Sequence, residues 1–204
     1  MVGIWLSGEM KAPSRMPDTP LSHYLRTNNV ATCAIEDVSD PYVKAGAAYW
    51  RSLCGQRKFP ARGELTLRGM AAFLPHVIII RVDDNGADYE YCYVGEAQRQ
   101  AYGMPLKGIR LTQIEAATPQ LGALVRSVFE QVRSSQVPLV VRGRIYSELA
   151  NDKRRFHETI WMPLGDSETC VDHLLMIGVQ VPKPFWEATP DKLRILADHG
   201  RAPA

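Results

Sequence analysis

Side chains that could bind a small molecule are concentrated in the last third of the sequence. Arg142 and Arg144 are separated by one residue in the stretch PLVVRGRIYSEL, and arginines can hold a carboxylate or phosphate through paired hydrogen bonds. His157 and Trp161 lie in the next stretch, RRFHETIWMPL, and His173 lies in the one after it. These residues are candidates for a ligand-binding site, although the arginines could instead face solvent on the outside of a strand.

Tyrosines alternate with other residues in the upstream stretch YEYCYV. Strict alternation predicts that Tyr89, Tyr91 and Tyr93 lie on one face of a β-strand. Such a row could stack on the ring of a ligand, or it could pack beneath a helix as ordinary sheet-forming residues. We therefore add Tyr91 and Tyr93 to the candidate ligand-binding residues, with core packing as the competing interpretation.

The histidines also raise the question of metal binding or acid–base catalysis. A zinc site needs three or four converging ligands, and the donors nearest to His157 and His173 alternate across a strand, so we predict no metal site. Isomerases and hydratases with cone-shaped folds pair a histidine with an acidic residue, which here would be Asp172 with His173. Adjacent strand residues point to opposite faces, so Asp172 and His173 are poorly placed to hydrogen-bond to each other. Without that catalytic pair, we predict that the chain is not an enzyme.

Composition argues against several classes of partner. The 24 basic and 22 acidic residues give a net charge of +2, which provides no electrostatic footprint for nucleic acid or an anionic membrane. No apolar run approaches the length of a membrane span, and the four cysteines form no C-x-x-C pair. We expect a cytoplasmic protein that binds neither nucleic acid nor membrane.

The stretch SDPYVKAGAAYWRSLCG predicts a helix upstream of the candidate strands, which we call the lead helix. Asp40 can cap it, Pro41 suits its first position and Gly55 suits the residue beyond its end. Its apolar side is broad enough to pack inside the protein or to form a homodimer or partner surface, where aromatic residues are frequent anchors. The candidate interface residues are Tyr42, Tyr49, Trp50 and Leu53.

Strands and helices alternate through the rest of the sequence. HVIIIRV and YEYCYV flank the turn signal DDNGAD and predict a β-hairpin. Residues 118–135 repeat apolar side chains every three or four positions and predict the longest helix. The stretches PLVVRGRIYSEL, RRFHETIWMPL and CVDHLLMIGVQV predict antiparallel strands joined by short turns. Together they predict an α+β domain with helices covering an antiparallel five-stranded sheet.

The predicted elements divide the chain into three regions. Prolines are frequent near the N terminus, and we expect residues 1–38 to form a flexible tail. Residues 39–182 form the domain with its lead helix. Residues 183–204 are expected to form a C-terminal helix and tail.

A motif in the middle of the chain resembles the PAS family. In VGEAQRQAYGMPLKGIRL, as in the PAS segment, a strand ends in a short helix, a glycine follows an aromatic residue and a Leu-x-Gly step leads onward. The matching positions are Gly95, Tyr102, Gly103, Leu106, Gly108 and Leu111. The upstream elements YWRSL, PAR and FLPHV resemble a bacterial PAS-like variant family with an aromatic-rich helix before the core.

The resemblance implies a sensory or interaction domain. A PAS-like sheet and its helices can enclose a small molecule, and its binding can change how a flanking helix packs on a signalling partner. Residues 118–135 contain no histidine for haem, and the flavin-type Asn-Cys-Arg-Phe-Leu-Gln motif is absent, so we expect no such cofactor. Little sequence follows the domain, so we expect output through another protein. A ligand-free interaction module and a cone-shaped isomerase or hydratase remain the alternatives.

Overall fold

The structure is a computed structural model and describes residues 19–27, 30–147, 152–167 and 169–182. The first 18 residues of the predicted tail and the predicted C-terminal helix and tail, residues 183–204, lie outside the described residues. The side chain of Arg144, one of the candidate ligand-binding residues, also lies outside the described part of the chain.

One antiparallel sheet organises the described residues. Its order is β1-β4-β5-β6-β2-β3. The strands are β1 (Val30–Cys33), β2 (Val77–Asp83), β3 (Asp88–Val94), β4 (Leu139–Ser147), β5 (Asp152–Leu164) and β6 (His173–Pro182). The strands predicted from the sequence are all present as β2 to β6, which confirms the α+β class and the antiparallel sheet.

Part of the region predicted as a flexible tail, residues 1–38, forms regular secondary structure. Residues 20–27 form helix α1 (Pro20–Thr27), and β1 pairs antiparallel with the edge of β4, with Cys33 opposite Val140. Pro20 lies at the first helical position, where a proline removes no intrahelical hydrogen bond. A proline-rich composition therefore did not prevent a helix here, and β1 gives the sheet a sixth strand.

The remaining helices lie between β1 and β4. They are α2 (Pro41–Cys54), α3 (Leu67–Met70), α4 (Glu96–Tyr102), α5 (Leu111–Ala117) and α6 (Pro119–Ser135). Among the described residues, no helix combines the length and the apolar character that crossing a membrane requires.

Helix α2 is the predicted lead helix, and its ends form as the sequence predicts. The Asp40 carboxylate accepts hydrogen bonds from the backbone N–H groups of Tyr42, at 2.9 Å, and Val43, at 3.4 Å. Pro41 is the first helical residue, and Gly55 follows the helix with a φ of 58°. The cap and the terminal glycine therefore define where α2 begins and ends.

The two faces of the sheet are covered by different helices. Gly46 of α2 packs so closely on β6 that a Cβ there would lie 1.9 Å from Cδ1 of Ile177. On the opposite face, the ring of Tyr89 in β3 lies 5.0 Å from that of Phe129 in α6. We call the α2 side the outer face and the α6 side the inner face.

A β-bulge in β3 changes the predicted row of tyrosines. Ile79 pairs with Tyr93 and Ile80 with Tyr91, so Cys92 is an extra residue in the ladder. Tyr91 lies on the inner face, with its ring 6.2 Å from that of Phe129. Tyr93 lies on the outer face, because its partner Ile79 alternates with the inward-facing Ile80. The prediction that the tyrosines share one face is therefore wrong for Tyr93.

Candidate ligand-binding site

Two polar side chains lie close together on the inner face of β5. His157 and Thr159 are two residues apart, which places them on the same side of the strand. Nε2 of His157 and the Thr159 hydroxyl are hydrogen-bonded to each other. His157 is only 8% exposed, and its Nδ1 is buried with no hydrogen-bond partner among the described residues. Buried polar atoms are nearly always partnered, so this nitrogen marks a candidate site.

The strand residues that pair with these two side chains are both glycines. Gly143 of β4 pairs with His157, and Gly178 of β6 pairs with Thr159, so neither neighbour adds a side chain. Gln98 of α4 reaches the same place from the covering layer, and its Nε2 donates to the backbone carbonyls of His76 and Gly178. The site is therefore bounded by glycines in the sheet and by an amide whose donors are already in use.

Burial controls the charge of His157. It lowers the pKa of the imidazole to about 4, and the nearby carboxylate of Glu158 opposes this shift only in part. The imidazole is therefore neutral near pH 7, with one nitrogen that donates and one that accepts. A neutral histidine with one free nitrogen can recognise a polar group of a ligand without contributing positive charge.

Glu158, the next residue of β5, projects to the outer face and holds the start of α2. Its carboxylate is fully buried and accepts hydrogen bonds from the backbone N–H of Ser39 at 3.0 Å, the Ser39 hydroxyl at 2.7 Å and the backbone N–H of Asp40 at 2.7 Å. Arg142 of β4 lies 3.6 Å away. Consecutive residues of β5 therefore contact the inner-face site and the lead helix.

A comparison with protein-family models identifies the family of this chain. A family model described as a PAS domain matches residues 39–177. The chain belongs to the PAS family. This result confirms the resemblance found in the central motif. The match starts at Ser39, which Glu158 binds, and ends within β6. Comparison with curated proteins gives no match.

Solved PAS and light-oxygen-voltage (LOV) structures are similar to this PAS domain in fold. A LOV protein from Rhodobacter sphaeroides has 13% identity and a TM-score of 0.40, covering 55% of this chain and 62% of that one. The PAS domain of BvgS from Bordetella pertussis has 15% identity and a TM-score of 0.43, covering 65% and 95%. An RNA-binding light-oxygen-voltage receptor has 17% identity and a TM-score of 0.41, covering 69% and 41%. The chain thus spans less than two thirds of the LOV protein and of the receptor.

The structure separates the predicted ligand-binding residues of this PAS domain. Tyr91, His157 and the half-buried Trp161 lie on the inner face, and burial raises the pKa of Tyr91, which keeps its phenol protonated. Arg142 lies on the outer face with Glu158, and its guanidinium also donates to the carbonyl of Asp37. The structure thus places Arg142 beside the start of α2, because it pairs directly with Glu158 and shares its face.

His173 lies away from the inner-face site. His173 is the first residue of β6, where it pairs with Leu164 and Arg81. His157 of β5 pairs with Gln180, near the other end of β6, so the two histidines are seven residues apart along the strand direction. At about 3.3 Å per residue, that separation is roughly 23 Å. Nδ1 of His173 lies 2.7 Å from the Asp172 carboxylate, so the prediction that these two side chains are poorly placed to hydrogen-bond to each other is wrong. Asp172 lies before the first residue of β6, and its side chain therefore does not follow the alternation of side chains in the strand.

The predicted interface residues have different environments on α2. Trp50 is buried, and its indole N–H donates to the carbonyl of Pro163 at 2.9 Å, so the structure places it in the core. Tyr49 and Leu53 are half-buried, and the Tyr49 hydroxyl accepts a hydrogen bond from the backbone of Thr66. Tyr42 is 43% exposed and stacks on His76. Of the four, Tyr42 presents the largest free surface.

Sequence reasoning missed three residues of this arrangement. Thr159 could have been found, because a polar residue two positions from His157 shares its face of a strand. Glu158 and Gln98 carry no such signal. Their roles depend on which element covers each face of the sheet, and no local pattern in the sequence specifies that.

Proposed function

We propose that this PAS domain is a sensor that binds a small molecule on its inner face, in contact with His157. The observation that supports the proposal is the buried Nδ1 of His157, which has no hydrogen-bond partner in the part of the chain that the structure describes. An unpartnered buried polar group is unfavourable by about 1 to 3 kcal/mol. A ligand group that bonds to this nitrogen would remove the penalty and would bind selectively at this position.

The same strand offers a route from the ligand to the surface. His157 faces the site, and Glu158 holds Ser39 and Asp40 at the start of α2. A small movement of β5 on ligand binding would change the hydrogen bonds that fix this helix end, and helix shifts of this kind are a common form of switching. We propose that α2 conveys the bound state to a protein partner.

Native mass spectrometry on freshly purified protein, beside a denatured control, tests the sensor proposal. We expect a bound mass that is lost on denaturation. His157→Ala should reduce its occupancy strongly. His173→Ala is the matched control, because it removes an imidazole at the other end of β6 and should leave the bound mass unchanged. Absence of any bound mass, or equal occupancy in the His157 variant, would contradict the proposal.

The exposed Tyr42 supports a second candidate function, a homodimer or partner-binding module that needs no ligand. Aromatic side chains with free surface are common interface anchors. Sedimentation analysis of wild type and Tyr42→Ala would test this function. Tyr102→Ala is a matched control, since Tyr102 is 44% exposed and Tyr42 is 43% exposed. We expect a dimer that only the Tyr42 variant weakens, and a monomeric wild type would contradict the dimer.

A further inference from the structure

We propose that the ligand of this PAS domain presents a hydrogen-bond acceptor, a carbonyl oxygen or an aromatic ring nitrogen, to the Nδ1–H of His157. The inference rests on the proposed function, because it specifies the chemistry of the ligand at that site. It follows from the hydrogen-bonding partners of His157 and Thr159 and from the composition of the surrounding face.

The hydrogen bonds of Thr159 decide which nitrogen of His157 carries the proton. Its hydroxyl contacts Nε2 of His157 and makes no other hydrogen bond among the described residues. If Nε2–H donated to Thr159, the hydroxyl hydrogen would have no acceptor and Nδ1 would have no donor. If the hydroxyl donates to Nε2, only Nδ1–H is left without a partner. Unpartnered buried groups are unfavourable, so the second arrangement is preferred.

The adjacent amide does not supply the missing acceptor. Nε2 of Gln98 donates to the backbone carbonyls of His76 and Gly178, which fixes the orientation of the amide, and its Oε1 makes no hydrogen bond to Nδ1 of His157. Gly143 and Gly178, opposite His157 and Thr159, have no side chains that could reach the imidazole. The acceptor must therefore come from outside the described residues.

The surrounding inner face indicates the rest of the ligand. Val141 pairs with Thr159, and Trp161 pairs with Met176. The rings of Phe129 and Tyr91 cover the same face farther along the sheet. An apolar wall with one polar point favours a mostly apolar ligand that carries few polar groups. Carbonyl compounds and nitrogen heterocycles fit this description.

Nitrogen NMR of histidine-labelled protein tests the proton position directly. In the wild type, we expect His157 as the neutral form with hydrogen on Nδ1. Thr159→Ser should keep this form, because serine retains the hydroxyl. Thr159→Val should lose it, because valine cannot donate to Nε2. A wild-type protein with hydrogen on Nε2 of His157 would overturn the inference whether or not a ligand is bound.

Binding of two bicyclic probes tests the ligand class. Quinoline carries a ring nitrogen that accepts, and indole carries an N–H that donates. We expect quinoline to bind roughly tenfold more tightly than indole, as one hydrogen bond to a buried donor suggests. This preference should vanish in His157→Phe and persist in His157→Asn, whose amide can still donate.

The outcomes separate this inference from the proposed function. A bound native mass whose compound has no acceptor, or indole binding at least as tightly as quinoline, would overturn the acceptor chemistry and leave the sensor function intact. No bound native mass, together with no shift of His157 on addition of either probe, would overturn both. A native compound with a carbonyl or ring nitrogen, released by His157→Phe, would support both.

Discussion

Two ionisable residues lie next to each other on β5 and have opposite surroundings. On the outer face, the carboxylate of Glu158 is bonded to the backbone and hydroxyl of Ser39 and to the backbone of Asp40. On the inner face, Thr159 is the one hydrogen-bond partner of His157 within the described ranges, and Nδ1 of His157 has none there. A buried group with all its partners present stabilises the fold, whereas a buried group that lacks one is a place where a ligand can bind.

The contrast extends to the helices on each face. The outer face is covered by α2, which is capped at Asp40 and packed against Ile177 without space for one additional carbon atom at Gly46. On the inner face, glycines oppose both His157 and Thr159. A Cβ at Gly178 would also lie only 2.7 Å from the Thr159 hydroxyl oxygen, so the faces differ in the partners of their buried polar groups and not in close packing. The fully partnered Glu158 makes the outer face an anchor, and the unpartnered Nδ1 of His157 makes the inner face a candidate site. The following predictions test that difference, starting with the largest expected effect.

Loss of the outer anchor should have the largest effect on stability. We expect Glu158→Ala to lower the free energy of unfolding by about 4 kcal/mol, because it removes a buried carboxylate and leaves its donors unpartnered. Urea denaturation measures the change. Glu96→Ala is the control, because its ion pair with Arg99 is exposed and solvent screening should leave the stability almost unchanged. A loss below about 1 kcal/mol in the Glu158 variant would show that this carboxylate is not an anchor.

The burial of His157 on the inner face should make the free energy of unfolding depend on pH. The folded-state pKa of His157 is lowered to about 4 from an ordinary value of 6.5, so the unfolded chain binds a proton in this range that the folded chain does not. The stabilisation is complete above about pH 6.5 and is lost as the pH falls towards 4, with a total of roughly 3 kcal/mol.

The wild type and His157→Asn are compared by urea denaturation between pH 4 and 7. Asparagine does not titrate, so acidification should destabilise the wild type more than the variant. The difference between the two curves isolates His157 from the carboxylates, including Glu158, which are shared by both proteins. Parallel curves would show that His157 is not held neutral by burial.

Sequence reasoning found the elements of both faces but not their side-chain partners. The cap at Asp40, the turn at Asn85 and Gly86 and the predicted strands depend on local residue types, and the structure contains all of them. The face of the sheet on which each side chain lies was less predictable. One extra residue, Cys92, moves Tyr93 to the other side of the sheet, and the position at which β6 begins lets Asp172 contact His173.

The candidate site was predictable only in part, for a related reason. His157 stands out as a polar residue in a strand, and Tyr91 and Trp161 share its face. Arg142 lies on the outer face because it pairs with Glu158 across β4 and β5. The register of these two strands depends on pairing between distant segments of the chain, which the sequence pattern does not specify. Whether a buried polar group has all its partners also depends on distant segments, as the contacts of Ser39 and Gln98 show.

Packing offers a second test of the outer face. Gly46→Ala places a Cβ 1.9 Å from Cδ1 of Ile177, which is fully buried. Overpacking of this kind costs about 1 to 3 kcal/mol, against a gain of about 1 kcal/mol from the higher helix propensity of alanine. A 1.9 Å contact is far inside van der Waals distance, so we expect the upper part of that cost and a net loss of roughly 1 to 2 kcal/mol in thermal or urea denaturation.

Gly63→Ala is the control for this packing test. A Cβ at Gly63 meets nothing within 4 Å, so that variant should be close to wild type in stability. An unchanged or more stable Gly46 variant would show that α2 can shift on the sheet without penalty, and it would weaken the description of the outer face as a rigid anchor.

Arg142→Ala has the smallest expected effect and separates the two faces most directly. Its side chain is 33% exposed, and its Nη1 lies 3.6 Å from the Glu158 carboxylate, which keeps its bonds to Ser39 and Asp40 when the arginine is removed. We expect a loss of about 1 kcal/mol or less in stability. Native mass spectrometry should show the same bound mass as the wild type, whereas His157→Ala should lose it. A bound mass lost with Arg142 would mean that the ligand contacts the outer face, and the assignment of the faces would be reversed.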